Sequence, residues 1–259
     1  MSLNPVIRDW RGKTVWLVGA SSGIGRATAA ALHGQGARVI VSARNAQALE
    51  QFTDAHPGAI AIALDVTDAQ AVRDATKKVC EFGPLDGMVY CAGHYTEMDA
   101  GGIDLPDMLR HVDINYLGAL RLLAQTLPHL LARGPEAGAF VSLVGSVAGY
   151  VGLPRSLAYG PTKAALINLA QTLYLDLRDK GVAVSIINPG FVETPLTAQN
   201  RFHMPALLTP QQAASEIMRG WARGAFEIHF PKRFTLVLKL LALLPWRLYF
   251  MLVGRVTQA

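Results

Sequence analysis

The sequence predicts an α/β fold, a doubly wound parallel sheet within one domain, on three observations. Short apolar runs alternate with longer stretches of helical period, glycines stand where the runs end, and the first run passes through a glycine-rich turn into an alanine-rich helix. Parallel neighbours need a crossover connection, so strands alternating with helices give a sheet covered on both faces. The 259 residues are 51% hydrophobic and 17% charged, enough apolar material for one large core. A disordered chain and a small disulfide-stapled domain are both excluded. No fixed-period repeat and no Pro/Gly/Ser-rich linker divides the chain.

Taken in order, the first strand is expected at Thr14 to Val18, ending at Gly19, with a helix from near Gly23. Gly36 precedes the second strand, Arg38 to Ser42, and a helix follows from near Ala46. The third strand, Ala59 to Leu64, leads to a helix from near Ala69. The fourth, Gly87 to Tyr90, is closed by Gly93 and followed by a long helix around Asp107 to Ala132. Ala139 to Val144 is the fifth strand; a helix over Tyr159 to Lys180 ends before Gly181, and Val182 to Ile187 is the sixth. Each strand is a brief apolar run bounded by turn residues, each helix a longer stretch of period near 3.6. Ligands of such sheets bind beyond the carboxyl ends of the strands, and every motif below falls at such an end.

The turn after the first strand reads Gly19-Ala20-Ser21-Ser22-Gly23-Ile24-Gly25. Glycines there let backbone N–H groups approach a pyrophosphate, and the helix N-terminus behind them adds partial positive charge. This strand, glycine turn and helix form a dinucleotide site. On these residues the sequence resembles the short-chain dehydrogenase/reductase family, in its compact single-domain branch with a Rossmann fold, and the likeness covers nearly the whole chain.

A carboxylate about 20 residues past the glycines usually holds the ribose 2′-hydroxyl of NAD. Here no acid occurs from Arg38 through Leu49, while Arg44 can face a 2′-phosphate. NADP(H) is therefore favoured over NAD(H); the resemblance implies that Ser21 also lies near that phosphate. It further implies that Asp65-Val66 meets the adenine and that Cys91-Ala92-Gly93 takes the place of the family's N-A-G turn, with Cys91 replacing the usual asparagine.

Tyr159 and Lys163, four residues apart at the start of a helix, share one face. Bringing a phenol from near pH 10 to neutrality takes roughly 4 kcal/mol, about what a positive charge at about 4 Å provides in an effective dielectric of about 20. Lys163 is expected to supply it. Ser146, just after the fifth strand, can hydrogen-bond a substrate carbonyl. The resemblance implies a tetrad of Asn115, Ser146, Tyr159 and Lys163, with Asn115 holding a water linked to the lysine and Lys163 also holding the nicotinamide ribose. It also implies that the segment from Pro189 through Gly190, Val192 and Thr194 positions the nicotinamide carboxamide and pyrophosphate. The reaction so implied is hydride transfer between nicotinamide and a carbonyl carbon, with Tyr159 exchanging the proton.

Specificity is expected in the segment from Phe191 to Thr209, where Val192, Leu196, Phe202, Met204, Leu207 and Leu208 suit an apolar ketone or alcohol. Arg201 and His203 read as solvent-facing. The net charge of +5 lies wholly in residues 230–259, which carry Lys232, Arg233, Lys239, Arg247 and Arg255 and no acid. That argues against a nucleic-acid-binding face and for a membrane surface. The apolar tail is cut by Lys239, Pro245 and Arg247 into runs too short to span a bilayer. A kinked helical pair in the interface, with Trp246 and Tyr249 at headgroup level, is one expectation; packing against the body or a second subunit is the other. The resemblance implies a homodimer or homotetramer through the two long helices, although Leu166, Leu169, Leu173 and Leu177 can equally serve the internal core.

Cys80 and Cys91 form neither a disulfide framework nor a C-x-x-C spacing, and no metal site is expected. Residues Met1 to Asp9 lack an apolar signal core, so a reducing cytoplasm is expected. Two other readings carry distinct signatures. A redox sensor binds NADP(H) without turnover, and a membrane-tethered scaffold with a vestigial site is insensitive to Tyr159→Phe.

Overall fold

In the computed structural model, which describes residues 2–199 and 204–257 with side chains through Gly254, seven strands form one parallel sheet. They are β1 (Thr14–Val18), β2 (Arg38–Ala43), β3 (Ile60–Ala63), β4 (Gly87–Tyr90), β5 (Ala139–Val144), β6 (Val182–Pro189) and β7 (Glu227–Phe230). Their order is β3-β2-β1-β4-β5-β6-β7, every neighbouring pair parallel. The order reverses between β1 and β4, which opens a crevice at their carboxyl ends.

Every residue of β1, β4, β5 and β6 is buried, as required of strands covered on both faces. Along β1 the side chains alternate between the two cores: Trp16 and Val18 enter one, Val15 and Leu17 the other. The first core is closed by α3 (Ala69–Glu81), α5 (Gly118–Ala132) and α6 (Tyr159–Leu177), through residues such as Val72, Leu122 and Leu166. The second is closed by α1 (Gly23–Gly34), α2 (Ala46–Ala55) and α7 (Pro210–Trp221), through Leu32, Phe52 and Trp221. Leu166 and Leu177 belong to the first core, and Leu169 and Leu173 pack against it, so these α6 leucines serve the interior.

The long helix expected from Asp107 is divided. α4 (Leu105–Val112) starts two residues earlier because Asp104 caps it, accepting from Asp107 N at 3.1 Å. A π-helical turn at Asp113–Leu117 then precedes α5. The Tyr90 hydroxyl donates to the Ile114 carbonyl at 2.5 Å, and a Cβ on Gly118 would lie 2.3 Å from that hydroxyl. The widened turn thus fits over Tyr90, and it carries Asn115.

β7 and α7 stand beyond the expected elements. β7 is four residues long with alternating burial, Ile228 and Phe230 inward, too brief for an apolar run. α7 carries a readable start, a capping box in which Thr209 and Gln212 bond each other's backbone, with Pro210 in the first turn.

The tail forms the expected helical pair, α8 (Lys232–Ala242) and α9 (Trp246–Thr257), separated at Pro245. One side of the pair packs against the body, as one of the two expectations has it. Thr235, Leu238 and Tyr249 are buried against the body, and the Tyr249 hydroxyl donates to the Gly152 carbonyl. Lys239 does not point outward with Lys232, Arg233 and Arg247; it turns inward to pair with Glu227, which also accepts from Tyr150 Oη at 2.5 Å and Asn188 Nδ2 at 2.9 Å. Arg201, Phe202 and His203 lie outside the described residues.

On β7, His229 Nδ1 lies 2.6 Å from Thr235 Oγ1 of α8. Burial, and then the positive Lys239 and Lys232 nearby, lower the imidazole from 6.5 to about 4. Because the charged form is disfavoured on folding, this stabilisation is complete above the ordinary histidine value and is lost as pH falls through about 4. Discounted for partial exposure it is worth on the order of 1 kcal/mol. His229→Gln is expected to flatten the fall in unfolding free energy between about pH 7 and pH 4 by that amount, measured by urea unfolding at each pH.

Candidate active site

The glycine turn is locked to three strand ends. Gly19 has φ +90°, and a Cβ on it would lie 2.3 Å from Ala92 N in the turn after β4. Its N–H donates to the Ser42 carbonyl at the end of β2, at 2.7 Å. A Cβ on Gly25 would lie 2.3 Å from Gly19 O, so α1 begins directly against the turn. Gly23, φ +55°, sits with its would-be Cβ 2.8 Å from Thr194 Cγ2, which brings the segment after β6 onto the turn. Ser22 caps α1 without a side-chain hydrogen bond, leaving first-turn N–H groups to meet an anion.

A cleft of about 320 Å³ opens above this junction. Arg44, Asp65 and Val66 stand at one end and Ser146, Tyr159 and Lys163 at the other. Between them lie Gly19, Ser21, Ser22 and Ile24, then Cys91, Ala92 and Gly93, with Pro189, Val192 and Thr194 along the side. Gly23, Gly25 and Asn115 are the expected residues that do not line it. The two glycines lie beneath the turn and allow it to close, and Asn115 is fully buried behind Gly93. A turn whose glycines exclude side chains, next to a capless helix start and an exposed arginine, fits an extended dinucleotide.

At the Arg44 end, burial raises the Asp65 carboxyl but is outweighed by hydrogen bonds from Thr67 N and Oγ1, at 2.9 and 2.8 Å, and by the Arg44 charge. The net shift is downward. Arg44 itself is exposed, directly after β2. Burial pushes the Cys91 thiol up to about 11, which favours its protonated form.

At the other end, Tyr159 and Lys163 occupy the first turn and a half of α6. Lys163 is 3% exposed; its Nζ donates to the Val144 carbonyl at 2.8 Å and lies 5.5 Å from the centre of the Tyr159 ring. Burial lowers the ammonium from 10.5 to about 8. Ser146 caps the short 3-10 turn Val147–Gly149, its Oγ accepting from Ala148 N at 3.1 Å, and stands near enough to the Tyr159 hydroxyl to favour the phenolate. Burial outweighs that effect and raises the phenol above its ordinary value. Without cofactor, the lowering expected from Lys163, to which oxidised nicotinamide would add, is outweighed. The ammonium is held by the Val144 carbonyl under the ring, and desolvation of the phenol dominates.

Asn115 Oδ1 accepts from His94 N at 2.6 Å, while its Nδ2 donates to His94 O and Thr162 Oγ1, each at 3.0 Å. A Cβ on Gly93 would stand 3.7 Å from Asn115 Oδ1 and 3.9 Å from Lys163 Nζ. Asn115 and Lys163 thus flank one glycine of the turn after β4.

The family model for short chain dehydrogenases matches residues 13–204. The chain belongs to the short-chain dehydrogenase/reductase family. An "uncharacterized oxidoreductase" of Myxococcus xanthus is 34% identical over 238 residues, covering 90% of this chain and 93% of that one. A 2-keto-3-deoxy-L-fuconate dehydrogenase of Xanthomonas campestris is 32% identical over 189 residues, 73% of this chain and 61% of that one. A solved structure described as a short chain dehydrogenase/reductase family protein superposes with a TM-score of 0.77 at 26% identity, over 86% of this chain and 97% of that one. The protein is an oxidoreductase, and its family uses a nicotinamide cofactor, NAD or NADP.

Two features of the site had no sequence signal. Tyr95 meets Tyr159 edge-on, with ring centres 5.0 Å apart, and its carbonyl accepts from Gln199 Nε2 at 2.7 Å. The segment after β6 thereby closes against the β4 turn. His94, Asp107 and His111 offer ligand atoms within 4.8 Å of one another, but both ring nitrogens of His111 are engaged, by Thr96 N at 3.1 Å and the Asp107 carbonyl at 2.8 Å. With His94 Nε2 2.7 Å from Asp107 Oδ1, the three fasten the β4 turn to α4.

Proposed function

We propose that this dehydrogenase transfers hydride between NADP(H) and an apolar ketone or secondary alcohol, with Asn115, Ser146, Tyr159 and Lys163 as its reacting and positioning groups. One observation carries the reading. A single cleft joins an exposed arginine, after a β2 region without acids, to a serine and a tyrosine one helical turn from a buried lysine.

The nicotinamide, when bound, supplies the hydride in reduction and accepts it in oxidation. Tyr159 Oη gives its proton to the carbonyl oxygen in reduction and takes it from the alcohol in oxidation. Ser146 Oγ donates to the same substrate oxygen and keeps it beside Tyr159. Lys163 brings positive charge beneath the ring and the cofactor ribose, and Asn115 fixes the His94 turn next to it. An apolar substrate is supported by the walls beside Tyr159, namely the Tyr95 ring, Val192 and Leu196. A cytoplasmic location and a homodimer or homotetramer through α5 and α6, where Leu131 and Leu175 are exposed, complete the proposal.

Fluorescence titration with NADPH and NADH tests the cofactor. NADPH is expected to bind at least about tenfold more tightly, and Arg44→Ala to weaken NADPH alone by about 10- to 100-fold. Equal or better NADH binding would overturn the assignment.

A further inference from the structure

The tail helices leave an apolar face that the site does not use. Of the twenty large hydrophobic residues exposed in the described chain, nine fall between Leu236 and Leu252, so this is the main apolar patch of the surface and not scatter. On α8, Leu236, Val237 and Leu240 recur at helical spacing along one side, continued by Leu243 at the C-cap. On α9, Trp246 and Phe250 stack with ring centres 5.8 Å apart and are 67% and 64% exposed. The opposite side is committed to the body by Thr235, Leu238 and Tyr249, so the apolar face has a fixed orientation.

Charge selects what covers it. Lys232, Arg233 and Arg247 stand exposed beside the patch, and residues 230–259 contain no acid. A second copy laid on the same face would bring identical cations together with no carboxylate from either tail to pair them, which disfavours a twofold contact. An anionic bilayer complements both properties: acyl chains accept the leucines and aromatic rings, headgroups accept the lysine and arginines. Among the described residues no helix is long and apolar enough to cross a membrane, and α8 and α9, at 11 and 12 residues, suit a helix pair lying in the interface.

We propose that the α8–α9 face seats this protein peripherally on an anionic lipid surface. The seat is joined to the substrate side of the cleft. Phe234 of α8 packs on Phe191, with ring centres 5.5 Å apart, and would lie 2.9 Å from a Cβ on Gly190; Tyr249 of α9 holds the Gly152 carbonyl. A membrane-bound protein therefore presents the wall of its substrate segment next to the lipid. The docking itself does not depend on the cofactor or substrate assigned above.

The four tryptophans make the test direct. Trp10, Trp16 and Trp221 are at most 2% exposed, so quenching by aqueous iodide and any lipid-induced blue shift report Trp246. Full-length protein is titrated with phosphatidylcholine vesicles, with or without about one third phosphatidylglycerol. The expected result is a blue shift and loss of iodide quenching on the mixed vesicles, with affinity about tenfold or more above that for phosphatidylcholine alone. Leu240→Glu/Leu243→Glu, at exposed positions, is expected to weaken binding about tenfold or more while nicotinamide titration and circular dichroism stay unchanged. Unshifted Trp246 emission on anionic vesicles overturns the proposal. So does a shift that follows protein concentration without lipid, with dimers in sedimentation, which assigns the face to a second copy. Activity plays no part in this readout, so failure of the enzymatic reading leaves it standing.

Discussion

Tyr159→Phe is expected to lower turnover by about a thousandfold while NADPH affinity stays within about twofold, since a positioned proton donor contributes roughly 10²–10⁴. The substitution removes one oxygen and leaves the edge-on packing with Tyr95 in place, so the loss falls on proton exchange. Burial raises the phenol in the protein without cofactor, which keeps it protonated and suits it as the acid in carbonyl reduction. In oxidation the phenolate needs a positive field. Lys163, buried with no carboxylate bonded to it and lowered to about 8, supplies part of that field, and cofactor charge supplies more. Lys163→Met is expected to impair both turnover and cofactor binding, a pattern that separates it from Tyr159→Phe when kcat and KM for the cofactor are measured in parallel.

Gly19→Ala is expected to destabilise the fold by about 3–5 kcal/mol and weaken nicotinamide binding at least about 100-fold. A new Cβ would enter at 2.3 Å from Ala92 N and 2.6 Å from the Cys91 carbonyl carbon, both backbone atoms, at φ +90°. No rotamer change relieves that overlap, so either β4's turn or the glycine turn must move, and the cleft runs between them. Urea unfolding and cofactor titration on the same preparation read the two effects. A substitution at Gly12, which also has positive φ but open space around its would-be Cβ, is the control for backbone strain without collision.

How much was legible differs by element for physical reasons. The five central strands and the start of α1 could be read because burial on both faces leaves only apolar runs, and because glycine is required where Gly19 and Gly25 touch backbone; edge strand β3, though half exposed, keeps an apolar run. β7 could not, since Glu227 and His229 interrupt it in order to hold α8. The π-helical turn around Asn115 was invisible because the cause is Tyr90, distant in sequence. Likewise Tyr95 reaches Tyr159 only through the path of the β4 turn. At the site, residue identities and order revealed Ser146, Tyr159 and Lys163, but the balance of burial against charge at Tyr159 depends on packing that no spacing encodes. The tail's composition showed an apolar basic surface; that Lys239 turns inward while Lys232, Arg233 and Arg247 stay outside is decided by Glu227.

The most direct test of the central claim follows the fluorescence of NADPH bound to the wild-type protein, and to Tyr159→Phe at equal saturation, as a panel of lipophilic ketones is added. The account predicts that at least one ketone consumes the NADPH on the wild type and that the variant, though loaded, is slower by about a thousandfold. Equal rates for the two proteins, or bound NADPH that no ketone oxidises with or without lipid vesicles, would contradict it; the second result would favour a nicotinamide sensor over an enzyme.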